Sequence, residues 1–232
     1  MIEKALEALK TYDWGADTKV LDPIDEAINA SHGDAETRRK IEDQLTGLLK
    51  AEISYDAKNM ICRKLRTIGT DACVSTLAEL LSDEKLSHMA RYALERIPTP
   101  EAAAVMRNAL PKLSSALKIG VLSSLGVRQD AECVPLLGQL LGDGDGAVAL
   151  AAARALAAIR SPEAAKVLSE ATPHEDAKAA AADASLACAE SLLGEQKYAE
   201  ASTIYKGLLK TAPAKHVKLA VTRGLLACAS KK

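Results

Sequence analysis

Apolar residues recur along the chain at helical spacing. Val134, Leu137, Leu140 and Leu141 mark one face of a short helix, and the same rhythm returns on both sides of it. Two series of apolar anchors bring out a longer period. Leu77, Met106, Leu137 and Leu168 are separated by 29, 31 and 31 residues. Leu65, Leu94, Leu125, Leu156 and Leu186 are separated by 29, 31, 31 and 30. Two interleaved series with one period predict a repeated unit of two helices, the first series on first helices and the second on second helices.

Polar punctuation supports that unit. Segments 98–101 (PTPE), 128–132 (RQDAE) and 160–163 (RSPE) fall between units. Pro100 and Pro162 suit the first helical position, where a missing N–H has no intrahelical partner to lose. Thr99 and Ser161 precede them as N-caps. Within units, 82–85 (SDEK) and 142–146 (GDGDG) read as helix–helix turns. A helix pair of this size cannot bury its apolar face alone, so neighbouring pairs must stack on one another.

The period is lost before residue 55. Segments 2–12, 22–31 and 34–50 nevertheless read as amphipathic helices, with Asp22-Pro23 opening the second and Asp34 capping the third. These residues, 1–54, are expected to form an N-terminal helical cap of the same stack. Residues 55–174 carry the regular repeats. Residues 175–232 depart from the period and are expected to form a hairpin and a C-terminal capping helix, within a single continuous domain.

The units at 71–83, 130–159 and 161–168 resemble HEAT-like repeats, the short bacterial type also found in phycobilin lyases. Segment 186–213 resembles a tetratricopeptide-type hairpin. Ala201, Tyr205, Leu208 and Pro213 match that motif's second helix, while Ser185 and Ala189 stand where its first-helix aromatic and glycine belong. The resemblance implies an all-α fold, a right-handed α-α superhelix or solenoid of about six to seven helix pairs. It implies second helices on the concave side.

Composition agrees with thin helical layers. There is no Phe and a single Trp, Trp14, so Leu, Ala, Val and Ile must fill the core. Small side chains let helices approach closely. Charge is balanced, with a formal net charge of -1 and no acidic or basic tail, which removes the simplest argument for a nucleic-acid or anionic-membrane partner. No apolar run is long enough for a membrane span. The first residues lack the apolar block of a signal peptide. Five cysteines, without a CxxC, favour reduced thiols over a disulfide framework.

Candidate chemistry is sparse. His32, His88, His174 and His216 offer no pair at i, i+3 or i, i+4. His174-Glu175 is the one His-Glu dipeptide, where diiron helical-repeat hydroxylases carry several. The 142–146 turn runs straight into an apolar helix and lacks the later ligands of a calcium loop. Asp143 is equivalent to Asp83, 60 residues earlier, as a turn residue would be. Cys73 and Cys133 are likewise repeat-equivalent and read as small core residues. Cys62 precedes a basic run at 63–66 that would lower its pKa, but no His or Asp lies near it in sequence. A bilin lyase would need a broad pocket with aromatic walls, against which the absence of Phe argues.

These readings lead to a non-catalytic interaction scaffold, not an enzyme, with no cofactor and no metal. Its partner would be a protein or peptide held on the concave second-helix surface. The patch expected to carry it is Arg63, Lys64, Arg66, His88, Arg91, Tyr92 and Glu95, on two adjacent second helices. Arg and Tyr are the residue types that anchor interfaces, and Leu65, Ile68, Leu94 and Ile97 are the expected buried set beneath them. The alternative is a helical accessory part of a larger, multidomain and possibly exported enzyme, with 229–232 (ASKK) as a cut end. A weaker alternative is nucleic-acid binding along Arg63, Lys64, Arg66, His88, Arg91, Arg96, Lys118, Arg154 and Arg160. The location expected from the thiols is cytoplasmic, with an exported protein lacking its leader as the alternative.

Overall fold

A computed structural model describes residues 1–211 and 214–230. Pro213, of the tetratricopeptide-like pattern, and the last two lysines lie outside the described residues. Regular structure among the described residues is helical throughout, with fourteen α-helices. They gather into two compact units, Met1–Leu113 and Ser114–Lys232. That division falls between the seventh and eighth helices.

The first unit contains α1 (Ile2–Leu9), α2 (Asp22–Ala30), α3 (Ala35–Leu49), α4 (Tyr55–Ile68), α5 (Asp71–Glu79), α6 (Ser87–Leu94) and α7 (Pro100–Ala109). Helix α1 packs on α2, and α3 packs on both α4 and α5. From there two layers run in parallel: α4 lies against α6, and α5 against α7. The second unit contains α8 (Ser115–Val127), α9 (Val134–Leu140), α10 (Gly146–Ile159), α11 (Pro162–Glu170), α12 (Lys178–Gly194), α13 (Tyr198–Thr211) and α14 (Lys215–Ala229). Here α8, α10 and α12 form one layer, α9, α11 and α13 the other, and α14 closes on α12 and α13. Each unit therefore has the two-layered, paired-helix construction of an α-α solenoid.

The anchor series sort as the period requires. Leu77, Met106, Leu137 and Leu168 lie buried on α5, α7, α9 and α11; Leu65, Leu94, Leu125 and Leu156 lie buried on α4, α6, α8 and α10. Leu186 is the exception. It is half-buried at the edge of a C-terminal cluster, while Ala184, Cys188, Ala189 and Leu192 take the core positions of α12. That helix serves α13 and α14 as well as α10, so its buried face turns away from the repeat register.

Local signals account for most helix starts. Asp34 accepts from the Thr37 N–H at 3.1 Å, Ser54 from Ala57 at 3.0 Å and Ser161 from Ala164 at 3.1 Å. Pro100 and Pro162 occupy the first positions of α7 and α11. The repeat-equivalent aspartates hold turns: Asp83 Oδ1 accepts from Lys85 and Leu86 N–H, and Asp143 Oδ1 from Asp145 N–H. One start is held from another helix. Glu42 on α3 is 1% exposed, and its carboxylate accepts from the Thr70 N–H at 2.7 Å and the Thr70 hydroxyl at 2.9 Å. Thr70 in turn caps α5 through Ala72 N–H. A buried carboxylate is tolerable here because it satisfies two donors at a helix N-terminus.

Small residues set the spacing in the second unit. A Cβ on Gly126 of α8 would stand 3.0 Å from the Ala155 Cα of α10, so the two helices touch almost backbone to backbone.

Candidate functional site

Helices α4 and α6 bring the expected patch together within the first unit. Arg63, Arg66 and their neighbours occupy successive turns of α4; His88, Arg91 and Tyr92 lie on α6, with Glu95 at its C-cap. The apolar set beneath them is buried as expected, with Leu65, Leu94 and Ile97 fully covered and Ile68 nearly so. A cation–π contact joins the two helices across the patch. The Arg66 guanidinium lies over the Tyr92 ring, 4.5 Å from its centroid. Both side chains are half-buried.

The other members differ in how far they are committed. Arg63 is exposed, and its Nε donates to Asn59 Oδ1 at 3.2 Å, one turn back on the same helix. His88 is exposed, with Nδ1 3.4 Å from an Arg91 Nη. Burial holds the Arg91 guanidinium below its usual pKa, with the nearby Glu95 carboxylate acting in the opposite direction. Glu95 is half-buried.

Lys64 does not belong with them. Its side chain is only 11% exposed and turns to the Asp25 carboxylate of α2, at 2.7 and 2.5 Å from its two oxygens. The run at 63–66 therefore divides by helical geometry: Arg63 and Arg66 share one face, and Lys64 lies about 100° round from Arg63 towards α2. Sequence reasoning had no signal for this pair, whose members are 39 residues apart. It also missed Arg38, which donates to the Ile28 and Thr67 carbonyls and so ties the C-terminal ends of α2 and α4 together.

The cysteine readings divide. All five thiols are free and buried. Cys73 and Cys133 repeat one local geometry, each Sγ donating to the carbonyl three residues earlier. The effect expected of the basic run on Cys62 is overturned. Burial pushes that thiol up to about 12, against a small opposing influence from Lys58. Cys73 is likewise raised to about 12 and Cys188 to about 11, in each case chiefly by burial. A thiol so placed is a packing group, not a nucleophile.

Of the remaining histidines, His32 is exposed. His174 caps a short 3-10 turn, its Nδ1 accepting from Asp176 N–H, and His216 lies 3.1 Å from Asp183 across α14 and α12. Among the described residues no group of three or more His, Cys, Asp or Glu side chains is placed to hold a metal ion. No described helix is long and apolar enough to cross a membrane.

What the geometry defines is a helical-repeat protein with a mixed aromatic and cationic face on neighbouring second helices. A family model for HEAT repeats matches residues 106–187. HEAT repeats are commonly protein-interaction scaffolds. Comparison of the chain with curated proteins gives no match. The matched residues lie C-terminal to the α4–α6 face, which is tied to them by the anchor period running back through Leu94 and Leu65.

Proposed function

We propose that the chain is a non-catalytic interaction module whose α4–α6 face holds a protein or peptide segment. The observation that carries the reading is the Arg66–Tyr92 stack, flanked by exposed Arg63 and His88 above a fully buried apolar floor. Interfaces draw their energy from a few anchored Tyr, Trp and Arg side chains held by packing. A ring already in contact with a guanidinium loses little conformational freedom when a partner arrives. The HEAT-repeat match supports the same class of function.

In this reading the helix pairs are of the short bacterial type shared with phycobilin lyases, used for binding and not for bilin chemistry. The α12–α13 hairpin is tetratricopeptide-like: Ala201, Tyr205 and Leu208 are all buried in it. Five buried free thiols support a reducing, cytoplasmic setting.

The test is quantitative affinity capture from native lysate at moderate salt with wild type, Arg66→Gln and Tyr92→Leu. The reading requires a stoichiometric partner whose recovery falls with both variants while their thermal midpoints stay near wild type. Recovery unaffected by either substitution removes this face from the proposal.

A further inference from the structure

We infer that the ligand of the α4–α6 face is an acidic peptide segment, with one of its carboxylates seated on the edge of the Arg66 guanidinium. This rests on the docking reading above and adds the chemistry of what docks. The observation behind it is the state of Arg66. Its Nε is shielded from solvent and meets no acceptor. Among the described residues the side chain makes no hydrogen bond or ion pair, and it packs over the Tyr92 ring.

Lys64, two positions earlier, is neutralised by Asp25. Arg38 directs its Nη groups to two backbone carbonyls. A shielded donor without an acceptor is costly, and more so when the group is charged. Arg66 is thus a cation of this face whose Nε the fold leaves without an acceptor. With Nε shielded, the guanidinium over the ring offers its two outer Nη groups, whose paired N–H bonds match the two oxygens of a carboxylate.

Charge on the face points the same way. Arg63 stands one turn from Arg66, exposed, with only its Nε engaged. Exposed His88 lies across on α6. Glu95, the acid of the patch, acts on Arg91. The cations are too few and Lys64 too far withdrawn to follow a phosphate backbone, whose binding scales with the number of aligned cations. A short segment with one or two Asp or Glu side chains suits them better.

The experiment is selection from a random peptide library displayed against the full chain, followed by anisotropy titration of an enriched peptide. The same peptide with Asp→Asn and Glu→Gln replacements serves as its neutral control. The inference expects enrichment in Asp and Glu. It expects the neutral control and Arg66→Gln each to weaken binding by about tenfold or more, as loss of a charge-assisted bidentate pair does. Arg66→Lys, which keeps the charge but not the fork, should weaken it severalfold. Thermal melts of both variants verify the fold. Enriched peptides that are neutral or basic, yet still depend on Arg66 and Tyr92, overturn the acidic ligand and leave the docking face standing. No enrichment, or binding indifferent to both residues, overturns the two together. Tighter, Arg66-dependent binding of a generic DNA duplex overturns the peptide in favour of nucleic acid.

Discussion

Arg66 of α4 lies over the ring of Tyr92 of α6, with the guanidinium carbon 4.5 Å from the ring centroid. The contact ties together two second helices at the surface of the first unit. The position equivalent to Arg66 in the second unit is Gly126, where α8 and α10 close to backbone contact instead. The α4–α6 face therefore presents large side chains where the equivalent place on α8 is a glycine closed against α10.

A double-mutant cycle on this pair should return a favourable coupling. Arg66→Gln and Tyr92→Leu, singly and together, are expected to give about 0.5–1 kcal/mol in urea unfolding, the range for partly exposed cation–π pairs. Additive losses would mean that the two side chains stack without holding each other.

Gly224 is kept small by Tyr205. A Cβ at Gly224 of α14 would come within 2.3 Å of the Tyr205 ring, which is 1% exposed and fixed between α13 and α14. Alanine in a helix is otherwise favoured over glycine by about 1 kcal/mol. Overpacking a rigid ring costs about 1–3 kcal/mol, so sterics should win. Gly224→Ala should lower the thermal midpoint, and Tyr205→Leu in the same chain should recover part of the loss. A midpoint raised by Gly224→Ala would contradict the packing described for α13 and α14.

The thiols should be silent in the native state. With Cys62 and Cys73 pushed up to about 12 and Cys188 to about 11 by burial, a thiolate-seeking reagent at mildly alkaline pH has almost no thiolate to attack. Labelling is expected to be negligible natively and to reach all five residues in denaturant. Rapid native labelling of Cys62 would restore the reactive-thiol reading that burial removes.

Acid should weaken the fold through its capping aspartates. Hydrogen bonds from Ser115 and then from the Ala147 N–H hold Asp145 below the ordinary value of 3.8, and bonds from Thr37 do the same for Asp34. A carboxyl whose pKa is depressed by folding stabilises the native state above its unfolded value, and that contribution is lost as pH falls through the folded value. The thermal midpoint should thus be flat near neutrality and decline on the acid side of 3.8. Asp145→Ala should lower the neutral midpoint and make the acid limb shallower. An unchanged acid limb would assign the loss to other carboxylates.

Much of this architecture was legible from residue types that act locally. Leu65, Leu94, Leu125 and Leu156 set a period that the helices obey, because each buries the same face against the next pair. Asp34, Ser161, Pro100 and Pro162 marked helix starts that backbone geometry needs wherever they occur in the chain. Long-range polar pairs were not legible. The Lys64–Asp25 and Glu42–Thr70 contacts join residues 39 and 28 positions apart. Nothing in the period says which charged residue turns inward. As sequence Arg63, Lys64 and Arg66 read alike, and only helix packing separates the buried Lys64 from exposed Arg63. Likewise, the basic run after Cys62 suggests a lowered pKa, whereas in space burial raises it.

The most direct test of the α4–α6 face is site-specific photo-crosslinking in cells. A photoreactive residue replaces exposed Arg63 on α4 in one protein and exposed Thr203 on α13 in another. Crosslinked products are identified by mass spectrometry with and without Arg66→Gln. The account predicts a discrete protein adduct from position 63 that disappears with Arg66→Gln and has no counterpart at position 203. An adduct from position 203 alone, or one from position 63 that persists in Arg66→Gln, would contradict it.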